Sequence, residues 1–213
     1  ISCDVLPKWK EFERSSTTIV DAYVKPIIND RLPKIIEKIG QLVPQADVAI
    51  MKSNGGETTL EVACEQPAQL LLSGPSGGVV ATQHVSKANG FDRVMTFDMG
   101  GTSSDCAICI DGDVNLTTDF EVEWGIPVQI PMVDVRTIGA GGGSIAWVDN
   151  GGMLQVGPRS AGSRPGPACY GLGGTEATVT DANVVLSRID HNNFLGGKIT
   201  LDLVAARTAM KTM

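Results

Sequence analysis

Thr96-Phe97-Asp98-Met99-Gly100-Gly101-Thr102-Ser103-Ser104-Asp105 sits between two apolar runs, and the organisation of the chain follows from it. Arg93 to Phe97 reads as a short strand that ends at the carboxylate of Asp98, and Cys106 to Ile110 begins a second strand. Between them Gly100 and Gly101 turn the chain. Two adjacent glycines let backbone N–H groups converge on an anion, because no Cβ blocks close approach. Thr102, Ser103 and Ser104 add hydroxyl donors beside that nest. Asp98, at the strand end, is expected to hold a Mg²⁺-bound water or to orient an attacking one. The same ten residues also fit an ordinary glycine-rich β-turn capped by hydroxyls.

The rest of the chain bounds what such a turn can serve. At 213 residues the chain can bury one large core, or one domain with an incomplete neighbour. With 42% hydrophobic and 19% charged residues it has the composition of a soluble globular protein. Of 25 glycines, 18 follow residue 93, so turns and close backbone approaches concentrate there. Net charge is −7, and residues 94–213 carry 7 Lys/Arg against 13 Asp/Glu. An acidic half without basic clusters argues against nucleic acid or an anionic membrane as partner. Phosphate bound here would rest on backbone amides and a metal rather than on lysines. Cys3, Cys64, Cys106, Cys109 and Cys169 are scattered, and Cys106-x-x-Cys109 lies on an expected strand, where i and i+3 face opposite ways. They read as free thiols of a reducing cytoplasm. The chain opens at Ile1 without methionine or signal peptide, as a piece of a longer polypeptide would.

Apolar residues at 19, 20, 23, 24, 27, 28, 32, 35, 36 and 39 trace a helical stripe, with Thr18 and Asp21 as a capping start and Gly40 as a stop. Pro26 and Pro33 should kink it or split it in two, and its expected role is a scaffold packed on a sheet. Asp47 to Ser53 reads as a strand, Thr59 to Cys64 as a short helix, and Ser73 to Gly78 as a glycine turn before a helix over Val79 to Ala88. Asp113 to Glu123 reads as an exposed strand, with Asp119, Glu121 and Glu123 facing water. Val133 to Ile138 reads as another strand, and Asp149 to Gly152 as a hairpin turn. Residues 157–174, stiffened by Pro158, Pro165 and Pro167, suggest a functional or interface loop. Thr178 to Ile189, capped by Thr180, and Asp202 to Met213 return to helix.

The sequence holds two further glycine signatures. Gly74-x-Ser76-x-Gly78 satisfies the nucleophile-elbow pattern, with Asp149 or Asp181 and His191 in suitable order. Only two histidines are available, however, and Pro75 restricts the residue before the supposed nucleophile. A wall of a nucleotide cleft, or a helix N-terminus facing phosphate, suits that turn better. Gly139-Ala-Gly-Gly-Gly143-Ser144 lacks the final glycine of the dinucleotide pattern, and no P-loop lysine motif occurs.

Asp98-x-Gly-Gly-Thr102 between two strands resembles the phosphate hairpin of actin- and hexokinase-like ATPases. A wider set of blocks resembles the hydantoinase A/5-oxoprolinase family, ATP-dependent cyclic-amide hydrolases with ketone carboxylase relatives. The blocks are Glu11 to Thr18 with Asp21 to Pro26, Lys52 to Gly56, Ser73 to Gly78, Thr96 to Asp105, Gly139 to Ser144, Val156 to Gly162, Pro165 to Gly171 and Thr178 to Asn183. They cover nearly the whole chain, in order. Relatives commonly carry Ala at the position of Ser76, which weakens the elbow further.

The resemblance implies an α/β, actin-like (ribonuclease H-like) ATPase fold, this chain being the central part of a two-lobed enzyme. Residues 1–92 would be a helix-rich connecting region and 93–213 the lobe with the phosphate hairpin. Such enzymes use ATP and Mg²⁺ to phosphorylate an amide or carbonyl oxygen, which makes ring opening or carboxylation feasible. By this likeness Asp98 and Asp105 would be catalytic, and Gly100, Gly101, Thr102 and Ser103 would contact phosphate. Gly141, Gly142, Gly143 and Ser144 would line the same cleft, and Asp98 and Asp181 would hold metal. Asp181 also fits a simple first-turn helix acid. The implied partners are a cyclic amide, a missing N-terminal lobe with an earlier phosphate loop, and a hydantoinase B-type subunit or fused region. The alternatives are a ketone carboxylase component and a non-catalytic actin-like regulatory module.

Overall fold

In the computed structural model, which describes residues 1–213, Glu11–Leu42 runs as one 32-residue helix through both Pro26 and Pro33. The expected break is absent. Each proline removes a single N–H bond, and the long run of helix around it outweighs that loss. Thr18 is not a cap; its hydroxyl donates back to Arg14 O at 2.7 Å, and the helix starts seven residues earlier with Glu11 and Glu13 in its first turn. Of the apolar stripe, Val20 packs against the cluster of Ala68, Val128, Ile130 and Met132, but much of the rest does not reach a sheet. The helix buries only Thr17 and Asp21, while Ile19, Tyr23, Ile27 and Ile35 are exposed. Asp21 accepts the N–H of Ala68 at 3.0 Å, and Thr17 Oγ1 accepts that of Gln129 at 3.1 Å. Polar pegs therefore fasten the helix to the turn Pro67–Leu70 and to the segment around Pro127–Val128.

Ser73–Ala88 is helical from Ser73 onward, so the expected glycine turn is the start of the helix. Ser76 is fully buried, its hydroxyl 2.7 Å from both Ser53 O and Leu72 O. An elbow serine must present an exposed Oγ, so that reading ends here.

The hairpin forms as Val94–Met99 and Ser104–Ile110, with Arg136–Ile138 paired antiparallel to the latter. The acidic run breaks into two-residue strands, Asp113–Val114, Leu116–Thr117 and Phe120–Glu121, and Asp119, Glu121 and Glu123 do face water. Val133 to Ile138 likewise splits, into Met132–Val133 and Arg136–Ile138. Ser144–Val148 and Leu154–Ser160 form an antiparallel ribbon whose turn is held by Asp149. Its Oδ1 accepts Gly151 N at 2.9 Å and Met153 N at 3.0 Å, and its Oδ2 accepts Gln155 Nε2 at 2.8 Å. These bonds, the one from Met153 foremost, hold its carboxyl below the usual range. Val179–Val185 is capped by Thr178 rather than Thr180, and Leu203–Thr212 by Asp202.

Two compact units result, residues 1–96 with 107–135, and residues 97–106 with 136–213. The division differs from a single cut at residue 92, because the hairpin strands run through both units. In the first unit Ala68, Val128, Ile130 and Met132 form one core cluster, and Val79, Ala107, Cys109 and Val133 another. The second unit is centred on Cys169, Val184, Leu201 and Ala206. No helix is long and apolar enough to cross a membrane.

Candidate functional site

The site lies within the second unit and is built on the hairpin turn. Gly100 N donates to Ser103 O at 2.8 Å and closes it. The glycine run after Ile138 lies flat against the turn. Gly142 N donates to Gly100 O at 2.9 Å, Gly143 N to Gly101 O at 2.6 Å, and Ser104 Oγ to Ala140 O at 2.5 Å. A Cβ on Gly141 would stand 2.6 Å from Ser103 N and 2.7 Å from Thr102 N. That contact explains the glycine at 141.

Accounting for the N–H groups separates two roles that the sequence merged. Gly141 N is taken by Ser144 Oγ at 2.8 Å, and Ser144 N by Gly141 O at 3.0 Å. With Gly142 and Gly143 bonded to the hairpin, all four amides of residues 141–144 are spent inside the chain. The expectation that all four residues line the cleft is corrected in part: Gly141 and Ser144 are buried beneath the turn as a brace, and Gly142 and Gly143 do line the cavity. By contrast, the amides of Gly101, Thr102 and Ser103 bond to nothing within the chain.

A cavity of about 530 Å³ opens over Gly100, Gly101 and Thr102. Its other walls are apolar Met99, Tyr170, Ile189 and Phe194, and polar Ser163, Thr180 and Asn183. The Tyr170 and Phe194 rings lie 5.9 Å apart, tilted by 36°. Burial, with smaller contributions from Cys169 and Asp181, pushes the Tyr170 phenol upward, so it stays a neutral donor. No Lys, Arg or His lines this cavity. Thr180 ties the wall to the brace, since its N–H and its Oγ1 both donate to Gly142 O at 2.8 Å.

Asp98 and Asp105 do not line the cavity. Strand alternation sends Met99 into it and Asp98 to the opposite face. The Gly100–Ser103 bond sets Asp98 across from Asp105, which accepts Thr137 Oγ1 at 2.6 Å. Asp98 itself is exposed, and its carboxylate makes no hydrogen bond or ion pair within the chain. Ser103 is half-buried and outside the lining.

Asp181 requires correction as a metal ligand. It is fully buried, Oδ2 accepts Ala168 N, Thr178 N and Thr178 Oγ1, and Oδ1 accepts Cys169 N at 2.8 Å. The carboxylate is filled by the capping box and the turn Ala168–Tyr170. No group of three or more His, Cys, Asp or Glu side chains comes together to hold a metal.

Reading the sequence missed Ser163, Tyr170, Asn183 and Phe194. The proline-stiffened loop 157–174 holds Ser163 and Tyr170, and the blocks Pro165 to Gly171 and Thr178 to Asn183 hold Tyr170 and Asn183, but neither loop nor block shows which side chains face a cavity, and Phe194 lies outside both.

The family described as hydantoinase/oxoprolinase matches residues 14–213. Caprolactamase subunit alpha of Pseudomonas jessenii is 42% identical over 209 residues, which is 98% of this chain and 30% of that protein. The crystal structure of an ATP-dependent caprolactamase from Pseudomonas jessenii superposes with a TM-score of 0.76 at 40% identity, covering 99% of this chain and 30% of the other. A nucleotide-free structure of acetone carboxylase, solved in a study of ATP-dependent acetone carboxylation, superposes with a TM-score of 0.80 at 29% identity, covering 100% of this chain and 30% of the other. The chain thus spans 30% of the length of these relatives.

Proposed function

Because this chain belongs to the hydantoinase/oxoprolinase family, we propose that it supplies one phosphate loop of an ATP-dependent enzyme that activates a cyclic amide by phosphorylating its carbonyl oxygen. The fold in this reading is the actin-like one, with the hairpin as the loop. The observation that carries it is the set of unbonded amides at Gly101, Thr102 and Ser103, held above a brace whose own amides are all spent. A preformed row of N–H dipoles stabilises developing phosphate charge without reorganising.

The chain's residues then divide the work. Gly101, Thr102 and Ser103 bind phosphate oxygens, and Asp98 would help to hold a Mg²⁺ ion or position a nucleophile. Bound Mg²⁺ would neutralise charge on the transferring phosphoryl group. Met99, Tyr170, Ile189 and Phe194 supply the apolar surface of the cavity against which the substrate rests. Transfer of the γ-phosphoryl group to the amide oxygen, with release of ADP, makes the ring carbon electrophilic. Water adds to it, the ring C–N bond breaks with the nitrogen leaving as an amine, and a second water hydrolyses the resulting acyl phosphate to carboxylate and phosphate.

Identity of 40% or more to caprolactamase favours a cyclic amide as substrate. The higher TM-score to acetone carboxylase supports a second reading, a ketone carboxylase component. Turnover of the complete enzyme with its partner component, screened over lactams, hydantoins, oxoproline and ketones, separates the two. Asp98→Asn in that enzyme should lower ATP-dependent turnover by about 10²-fold or more with the fold unchanged. Near-normal turnover would remove Asp98 from the site.

A further inference from the structure

Residues 161–166 form a wall shared by two cavities of the second unit. Gly162 and Ser163 line the hairpin cavity, while Ala161, Arg164 and Gly166 line another of about 410 Å³. The second cavity also receives Arg159, Gly173, Gly174 and Glu176.

Three features give it a chemistry of its own. Arg159 donates to Glu176 at 2.7 Å, which fixes one guanidinium in the wall, whereas the Arg164 side chain has no hydrogen bond or ion pair. The N–H groups of Gly173, Gly174 and Thr175 are likewise unbonded. The floor is backbone packed on backbone. A Cβ on Gly174 would overlap Gly166 O, and Gly166 and Gly173 have φ of +77° and +100°, so side chains are kept out.

We infer that this cavity is a binding site for a small planar monoanion, a carboxylate or bicarbonate, held by Arg164 and the amides of residues 173–175. The guanidinium fork matches a planar pair of oxygens. Two arginines and one glutamate leave the wall a single net positive charge, which suits a monoanion rather than a phosphate dianion. In a chain of net charge −7, that patch is a local reversal of sign. The assignment stands apart from the hairpin reading, because it needs neither nucleotide nor Asp98.

Amide and arginine-side-chain NMR spectra of the full chain test it, with titration by sodium acetate, bicarbonate, phosphate and chloride at constant ionic strength. Saturable shifts at Gly173, Gly174 and Arg164 Nε–H are expected with acetate, bicarbonate or both. Saturation by acetate alone identifies an organic carboxylate as the source, and by bicarbonate alone, bicarbonate. Arg164→Gln should weaken binding about tenfold, while Glu176→Gln, which removes the competing charge, should tighten it. Both side chains are exposed, so shifts elsewhere in each variant should stay those of the parent chain. The inference is overturned if chloride gives the same shifts, if phosphate binds more tightly than either monoanion, or if Arg164→Gln binds unchanged.

Discussion

Gly141 and Gly101 are both glycines of the site, but only one is required by contact. A Cβ at Gly141 would press into the backbone of Thr102 and Ser103, whereas nothing lies within 4 Å of one at Gly101. Backbone cannot yield as a flexible side chain can, so Gly141→Ala must displace the turn. It should cost about 1–3 kcal/mol in urea unfolding and shift the amide resonances of Thr102 and Ser103. Gly101→Ala should stay within about 0.5 kcal/mol of the parent chain. Equal losses at the two positions would mean that residues 141–144 do not brace the hairpin. The same pair shows what a sequence conceals. Glycine at either position announces close approach, but only the fold shows that Gly141 lies against the backbone of Thr102 and Ser103 while Gly101 has open space beside it.

At the scale of elements, the clamp between the turn Ala168–Tyr170 and the helix Val179–Val185 rests on Asp181. Cys169 sits inside it. Burial, then the hydrogen bond to Asp181 and the charge of Asp181, push its thiol up to about 12. A thiol whose folded pKa is raised contributes stability that is whole below the unfolded value near 9 and is lost as pH climbs toward 12. The chain should therefore lose stability across that alkaline window, and Cys169→Ala should flatten the decline. Some decline should persist in the variant, because the Tyr170 phenol is raised as well. Denaturation midpoints measured from pH 8 to 11 check this, and an unchanged slope in Cys169→Ala would contradict it. The capping box here was legible in part: Thr178 and Asp181 stand at the right spacing, and the error lay only in naming Thr180 the cap. The long helix shows the reverse. Its apolar period correctly announced a helix, but period says nothing of which face meets the protein: Thr17 and Asp21 are its buried residues, and of the stripe Val20 packs against the core while Ile19, Tyr23, Ile27 and Ile35 stay exposed.

For the whole molecule, the question is how much of a nucleotide grip residues 1–213 carry. The hairpin offers three unbonded amides, and the cavity beside it contains no cationic side chain. The relatives' chains are more than three times as long, and in the proposed actin-like arrangement a second loop faces the first across the phosphates. Each charge-assisted hydrogen bond is worth about 1.5–3 kcal/mol, and each 1.4 kcal/mol is about tenfold in affinity. Losing three such bonds, as many as this hairpin offers, costs about 4.5–9 kcal/mol and so carries a micromolar dissociation constant to about millimolar or weaker. This chain by itself should bind Mg·ATP no more tightly than that and should not hydrolyse it. The fold need not suffer, since both units hold core clusters of their own. Calorimetry on the chain decides the matter: a micromolar dissociation constant for Mg·ATP would mean that the hairpin and its cavity form a complete site, and the second loop would lose its place in the mechanism.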